Sequence, residues 1–85
     1  IKITLKNETL RSLSRFAVTA GRCYQMYGSP DIARKLFQAA LAQSSTEYDH
    51  REKAVEYCKQ MGINENPEFD DQRLGDVIRQ LFGEY

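Results

Sequence analysis

GRCYQMYGSPDIARKLFQAALA, residues 21–42, contains the pattern that decides the fold. Its centre, Gly28-Ser29-Pro30, ends one helix and starts another, because Ser29 can cap the new helix and proline suits the first helical position. Beyond this break, apolar residues recur at three- and four-residue spacing as far as Leu41, which predicts a helix with one buried face. The stretch therefore predicts two amphipathic helices on either side of a break.

Upstream of this stretch, the same spacing of apolar residues predicts that the first of these helices begins at Asn7, a good N-cap residue. It ends at Gly21 or continues to about Tyr27. Residues 1–6, IKITLK, alternate strictly between apolar and polar side chains, which is the period of a half-buried β-strand. A lone strand must pair with something, and a second copy of itself is the obvious candidate.

Downstream, Ser44 and Glu47 have the spacing of a capping box that opens a third helix. Gly62 suits the C-terminus of that helix. Asn66-Pro67 can start a fourth helix with its own buried stripe. The sequence thus predicts a mainly α fold, in which a short N-terminal strand is followed by about four helices.

The composition is that of an ordinary globular domain, with 85 residues, 41% hydrophobic and 28% charged. A chain of this size is only marginally able to stabilise itself, so we expect oligomerisation or a larger parent protein. Because the first residue is Ile1, we expect a preceding segment or an excised domain. The chain contains no apolar run of membrane-spanning length. Cys23 and Cys58 lie outside any metal-binding motif and indicate two reduced thiols in a cytoplasmic protein.

Charge divides the chain into two parts, although twelve basic and twelve acidic residues give a formal net charge of zero. Residues 1–42 carry seven basic residues against two acidic ones, a net charge of +5, and residues 43–85 carry five against ten, a net charge of −5. This polarity predicts a basic unit that meets an acidic partner, followed by an acidic helical extension. Alternatively, the two halves neutralise each other within the fold or between subunits.

The sequence lacks the residue constellations of an enzyme. Its single histidine, His50, lies on the charged face of the third helix and has no second His or Cys at ligand spacing. Asp70-Asp71 is explained by compensation of a helix dipole. Because no glycine-rich phosphate loop and no nucleophile with its base can be recognised, we expect no catalytic residue, no metal and no cofactor.

Residues 1–42 resemble the ribbon-helix-helix family of DNA-binding repressors and plasmid proteins. The resemblance rests on the spacing of the strand and first-helix residues Ile3, Thr4, Leu5, Leu10, Leu13, Phe16, Ala17 and Gly21. The connection from Gly21 to the second helix is longer than in the shortest members, and it is similar to that of accessory proteins of conjugative DNA processing.

The resemblance implies a homodimer that binds double-stranded DNA, with a two-stranded ribbon in the major groove. The protein would then be a sequence-specific transcriptional repressor or a DNA-processing accessory protein. Residues 43–85 would be an oligomerisation or partner-binding extension. The expected DNA-binding residues are those of the strand, the basic residues of both helices and the start of the second helix: Lys2, Thr4, Lys6, Arg11, Arg15, Arg22, Ser29, Arg34 and Lys35.

Residues 14–47 also resemble a single tetratricopeptide repeat. The positions that carry this likeness are Gly21, Tyr24, Gly28, Ala33, Phe37 and Ala40. The small residues would let two antiparallel helices approach, and the aromatic residues would fill the gap between them. Ala17 and Ala20 replace larger apolar residues, and residues 48–81 do not repeat the pattern. This resemblance implies the alternative function of a helical module that binds other proteins, or a subunit of a larger assembly.

Overall fold

The computed structural model of the protein describes residues 7–64 and 66–83. It has four helices: α1 (Asn7–Tyr27), α2 (Pro30–Ala42), α3 (Tyr48–Gln60) and α4 (Arg73–Phe82). The prediction of a mainly helical fold is confirmed, and the described ranges contain no strand. The predicted strand at residues 1–6, and the ribbon it would form, lie outside the described residues.

The turn between α1 and α2 is built as its sequence predicts. The side chain of Ser29 accepts a hydrogen bond from the backbone N–H of Ile32, at 3.5 Å, and Pro30 occupies the first turn of α2. Gly28 N–H donates to the carbonyl oxygen of Tyr24, which closes the last turn of α1. Because only Gly28 and Ser29 separate the two helices, they fold back on each other as a hairpin.

The α1–α2 hairpin is antiparallel and tightly packed. Gly21 of α1 faces Phe37 of α2, and Ser14, two turns earlier in α1, approaches Thr46 beyond the other end of α2. A Cβ atom built on Gly21 would lie 2.7 Å from Cε1 of Phe37, closer than real Cβ atoms approach a ring. Gly21 therefore does not end α1. It lies inside the helix and lets the Phe37 ring pack against the backbone.

One hydrophobic core joins all four helices. Its largest completely buried apolar side chains are Leu36, Phe37, Leu41 and Leu74. Helices α3 and α4 each pack against both α1 and α2, and within the described residues they do not contact each other. The acidic second half of the sequence thus shares its core with the basic first half.

Two of the predicted helix starts are wrong. Helix α3 has Glu47 at its N-cap without a side-chain hydrogen bond, so the capping box with Ser44 does not form. Helix α4 begins at Arg73, six residues after Pro67. In place of the capping box, the backbone N–H and hydroxyl of Ser44 donate to Asp71, at 2.9 and 3.0 Å. The segment before α4 is held against α2 by a hydrogen bond from the N–H of Asp70 to the carbonyl oxygen of Ala42, at 2.9 Å.

The C-terminus of α3 follows its prediction. Gly62 has a φ angle of +79°, a left-handed conformation that glycine adopts without strain. Its N–H donates to the carbonyl oxygen of Lys59, and the N–H of Ile63 donates to that of Cys58. These two bonds close the helix in the manner of a Schellman motif.

Candidate functional site

The basic residues predicted to bind DNA are divided between several environments. Lys2, Thr4 and Lys6 lie outside the described residues. Ser29 caps α2 and is half-buried. The remaining five are on α1 and α2: Arg11, Arg15, Arg22, Arg34 and Lys35.

Two of the arginines on α1 are held at the junction with α3. Nε of Arg15 donates to Nε2 of His50 at 3.3 Å. Nη1 of Arg22 donates to the side-chain oxygens of Gln25 and Gln60, at 2.9 and 2.8 Å, and its guanidinium group lies 4.5 Å from the centroid of the Tyr57 ring. The sequence analysis assigned both arginines to DNA binding and did not predict their partners on α3.

The other three basic residues are exposed. Arg11 lies on the same side of α1 as the two junction arginines, because spacings of 4 and 11 residues return to one face of a helix. Arg34 and Lys35 lie on α2. Within the part of the chain that the structure describes, the one ion pair joins Arg79 to Asp76, at 3.0 Å, so these three residues have no carboxylate partner there.

The side of α1 next to the three arginines has no charged residue from Thr9 to Tyr27, although Arg15 and Arg22 border it. We call this side the α1 outer face. Seven of its eight residues are exposed and Ala20 is half-buried, and the complete set is Thr9, Ser12, Phe16, Thr19, Ala20, Cys23, Met26 and Tyr27. Met26 and Tyr27 are 55% and 85% exposed, although large apolar and aromatic side chains of this kind usually lie inside a protein.

Phe82 at the end of α4 widens the α1 outer face. Its ring makes an edge-to-face contact with Phe16, with 5.4 Å between the centroids, and lies 6.4 Å from the centroid of Tyr24. Both Phe16 and Phe82 remain more than 40% exposed. The result is a continuous uncharged surface along α1, with apolar side chains from Phe16 to Tyr27, bordered by α3 on one side and by the end of α4 on the other.

The outer surface of α3 has a different chemistry. An open groove of about 510 Å³ runs along it. Its lining is mostly charged and consists of Tyr48, Arg51, Glu52, Lys53, Val55, Glu56 and Lys59. Charges of both signs alternate along this helix, as on a solvent-exposed helix face.

The two cysteines are free thiols in different environments. Cys23 is exposed on the α1 outer face, and Cys58 is buried in the core. Burial raises the pKa of the Cys58 thiol, and this shift is opposed by the positive charge of Arg34 and by a hydrogen bond with Gln38. Because the thiolate is the reactive form, Cys58 is chemically protected and Cys23 is the accessible thiol.

No site for a metal ion can be identified among the described residues, since they contain no group of three or more His, Cys, Asp or Glu side chains able to hold one. The same residues contain no helix that is both long and apolar enough to span a membrane. Comparisons of the chain with protein-family models, with curated proteins and with solved structures find no match.

Sequence reasoning overlooked the α1 outer face. The sequence analysis assigned the three arginines of α1 to DNA binding and its apolar stripe to the core, and it assigned no role to the other exposed residues of the helix. Those residues are uncharged from Thr9 onward, and their spacing places them on one side of the helix. The signal was therefore available in the sequence, as an absence of charge on the side that faces neither the core nor α3.

Proposed function

We propose that the protein is a non-enzymatic interaction module that binds another protein through the α1 outer face. The observation that carries this proposal is an exposed helix side without charge, from Thr9 to Tyr27, which is widened by Phe82. The largest exposed apolar patch of a monomeric protein is often a functional contact site. The core of protein interfaces is likewise depleted of charge and enriched in aromatic residues and methionine.

The packing of the α1–α2 hairpin supports this proposal. Gly21 against Phe37, and Gly28 at the turn, occupy the positions that a tetratricopeptide-like hairpin uses for close helix packing. Such hairpins bind partners through exposed helix faces. Because Phe37 is completely buried, the hairpin is a rigid support for the side chains on its outer face.

The engagement of two arginines also favours a protein partner over DNA. Arg15 donates to the side chain of His50, and Arg22 donates to those of Gln25 and Gln60 and also stacks on Tyr57. To bind DNA phosphates, these guanidinium groups would have to break or share their present side-chain hydrogen bonds. The α1 outer face needs no such rearrangement.

A variant that places a charge on the α1 outer face tests the proposal. Thr19→Lys adds a positive charge at an exposed helix position without loss of packing, and Gln80→Lys adds the same charge on the exposed side of α4 as a control. Each purified protein is used for quantitative affinity capture, and captured candidates are then purified and titrated against all three proteins. We expect a partner whose affinity falls at least tenfold with Thr19→Lys and not with Gln80→Lys. Partners that bind all three proteins equally would refute the assignment of this face.

Sequence-specific DNA binding is the second candidate. It is supported by Arg11, Arg34 and Lys35, which are exposed and have no carboxylate partner in the described part of the chain. It also requires residues 1–6 to pair as a ribbon across a two-fold axis. In that case the affinity for duplex DNA should fall steeply as salt rises, because each neutralised phosphate releases counterions.

Replacement of Lys2, Thr4 and Lys6 by alanine tests the DNA-binding candidate. We expect the triple variant to lose sequence-specific binding to duplex DNA in a mobility-shift assay while keeping its helical content. A double variant on α3, Lys53→Ala with Lys59→Ala, is the control for loss of positive charge. If the triple variant retains the affinity of the unchanged protein, residues 1–6 do not form a ribbon that recognises the DNA sequence.

A further inference from the structure

We propose that the partner bound by the α1 outer face is a second copy of this chain, so that two copies pack α1 against α1. This inference rests on the proposed function, because it names the occupant of the same surface. It does not use the ribbon at residues 1–6.

Charge is the first argument for a second copy. The α1 outer face itself has no charged residue from Thr9 to Tyr27, and in a parallel pair the bordering Arg15 and Arg22 lie opposite Ala20 and Tyr27 of the other copy, so like charges do not meet. The whole chain has twelve basic and twelve acidic residues, so two copies are not kept apart by a net charge. A charged partner surface would lose hydration against this face and would find no opposite charge in return.

The shape of the α1 outer face is the second argument. Phe16, Cys23 and Met26, together with Thr19, follow the alternating three- and four-residue spacing of a helix pair. Large side chains at Phe16 and Met26 project on either side of the small Thr19, Ala20 and Cys23. Large side chains of one copy can therefore enter the space over the small residues of the other, as ridges enter grooves when helices pack.

The small contact area between the two α1 helices predicts a weak dimer. Thr9 to Tyr27 spans roughly 27 Å at about 1.5 Å per residue, and a helix is about 10–12 Å wide, so the contact strip is about 300 Å². Stable protein interfaces bury about 800 Å² on each partner. We therefore expect a weak dimer, with a dissociation constant on the order of 10⁻⁴ M.

Cys23 gives this arrangement a direct chemical probe. It lies close to the middle of the apolar segment from Phe16 to Tyr27, so it falls near its own copy whether the two helices run parallel or antiparallel. Because Cys58 is buried, a short bis-maleimide reagent should react selectively at Cys23. We expect covalent dimers of the unchanged protein near 1 mM and almost none for Cys23→Ser.

Sedimentation equilibrium across about 10 μM to 2 mM tests the proposal without chemical modification. We expect concentration-dependent dimerisation that Thr19→Lys weakens at least tenfold and Gln80→Lys leaves unchanged. The two lysine variants should have the helical circular dichroism of the unchanged protein, and the cross-linking result on the unchanged chain does not depend on either variant.

Three outcomes would overturn the second copy as occupant. The unchanged protein could remain monomeric at 2 mM, as would be seen directly by sedimentation. It could dimerise equally well with Thr19→Lys, which would place the interface elsewhere, including at residues 1–6. It could also be monomeric and bind a different protein in a Thr19-dependent manner. The last result would refute self-association and still support the proposed function, whereas Thr19-independent binding of every partner would refute both.

Discussion

Gly21 shows how much one missing side chain contributes to this fold. It lies in the middle of a 21-residue helix, where glycine costs about 1 kcal/mol relative to alanine. Its backbone lies against Phe37, whose ring is completely buried. Gly21 therefore lowers the intrinsic stability of α1 at this position and allows α2 to pack closely against it.

We expect Gly21→Ala to destabilise the protein by about 1–2 kcal/mol, because overpacking in a filled core costs more than the helix propensity gained. Urea denaturation measures the change. Thr19→Ala, an exposed substitution in the same helix, is the control and should be neutral or slightly stabilising. If Gly21→Ala is as stable as that control, the Phe37 ring is free to move and the close contact has no energetic role.

Asp71 is a second residue whose role follows from its contacts. The hydrogen bond from the backbone N–H of Ser44, together with that from its hydroxyl, lowers the pKa of the Asp71 carboxyl group. The contribution to stability is therefore present above the unfolded pKa of about 4 and is lost as the pH falls through the lower pKa of the folded state. The side chain is well exposed, so the effect should be small.

Asp71→Asn should reduce the free energy of unfolding near neutral pH, and the difference from the unchanged protein should shrink as the pH falls below about 4. Urea denaturation at several pH values measures this dependence. Glu68→Gln removes an exposed carboxylate from the same segment and serves as the control. A constant difference between Asp71→Asn and the unchanged protein at every pH would contradict the assigned role of the charge.

At the scale of elements, Arg51 connects three parts of the chain. From α3, its guanidinium group donates to the carbonyl oxygens of Leu41 and Gln43 at the end of α2, at 2.9 and 2.8 Å. The same group lies 5.2 Å from the centroid of the Phe69 ring, in the segment that leads to α4. It thus satisfies carbonyl groups that the end of α2 leaves without helical partners.

We expect Arg51→Met to cost about 1.5–3 kcal/mol, because it removes charged donors from two carbonyl groups and keeps the apolar stem. Thermal and urea denaturation both report this loss. Lys53→Met, two residues further along α3 and exposed, is the matched control. Equal stability of the two variants would mean that water replaces the guanidinium group at the end of α2 without loss.

The helix boundaries show which elements could be predicted from the sequence. The start of α2 and the end of α3 were predicted well, since Ser29, Pro30 and Gly62 act on their own backbone neighbourhood. The starts of α3 and α4 were predicted wrongly, and the residues before both helices make contacts with distant parts of the chain, such as that between Ser44 and Asp71, 27 residues apart. Local patterns cannot reveal a partner at that distance.

At the scale of the molecule, the charge polarity of the sequence did not predict the arrangement of the surface. The two halves share one core, and the arginines of α1 lie toward α3, whereas the uncharged side of α1 remains open. Which residues of α1 share a side follows from spacing alone. Which side is covered depends on where α3 and α4 dock, and this requires the three-dimensional structure.

If two copies associate, stability must depend on concentration. The melting temperature of the unchanged protein should rise by a few degrees between about 20 μM and about 2 mM, because dimerisation stabilises only the folded chain. Differential scanning calorimetry measures the shift. Thr19→Lys should show a clearly smaller rise over this range. A flat melting temperature for the unchanged protein would contradict coupling between folding and association.

Helices α3 and α4 are each attached to the α1–α2 hairpin, and within the described residues they are not attached to each other. We therefore expect each of them to open locally while the other stays in place. Native-state hydrogen exchange should resolve this hierarchy. The amides of the ten-residue α4 should exchange earlier than those of α2, whose release requires that the whole core come apart.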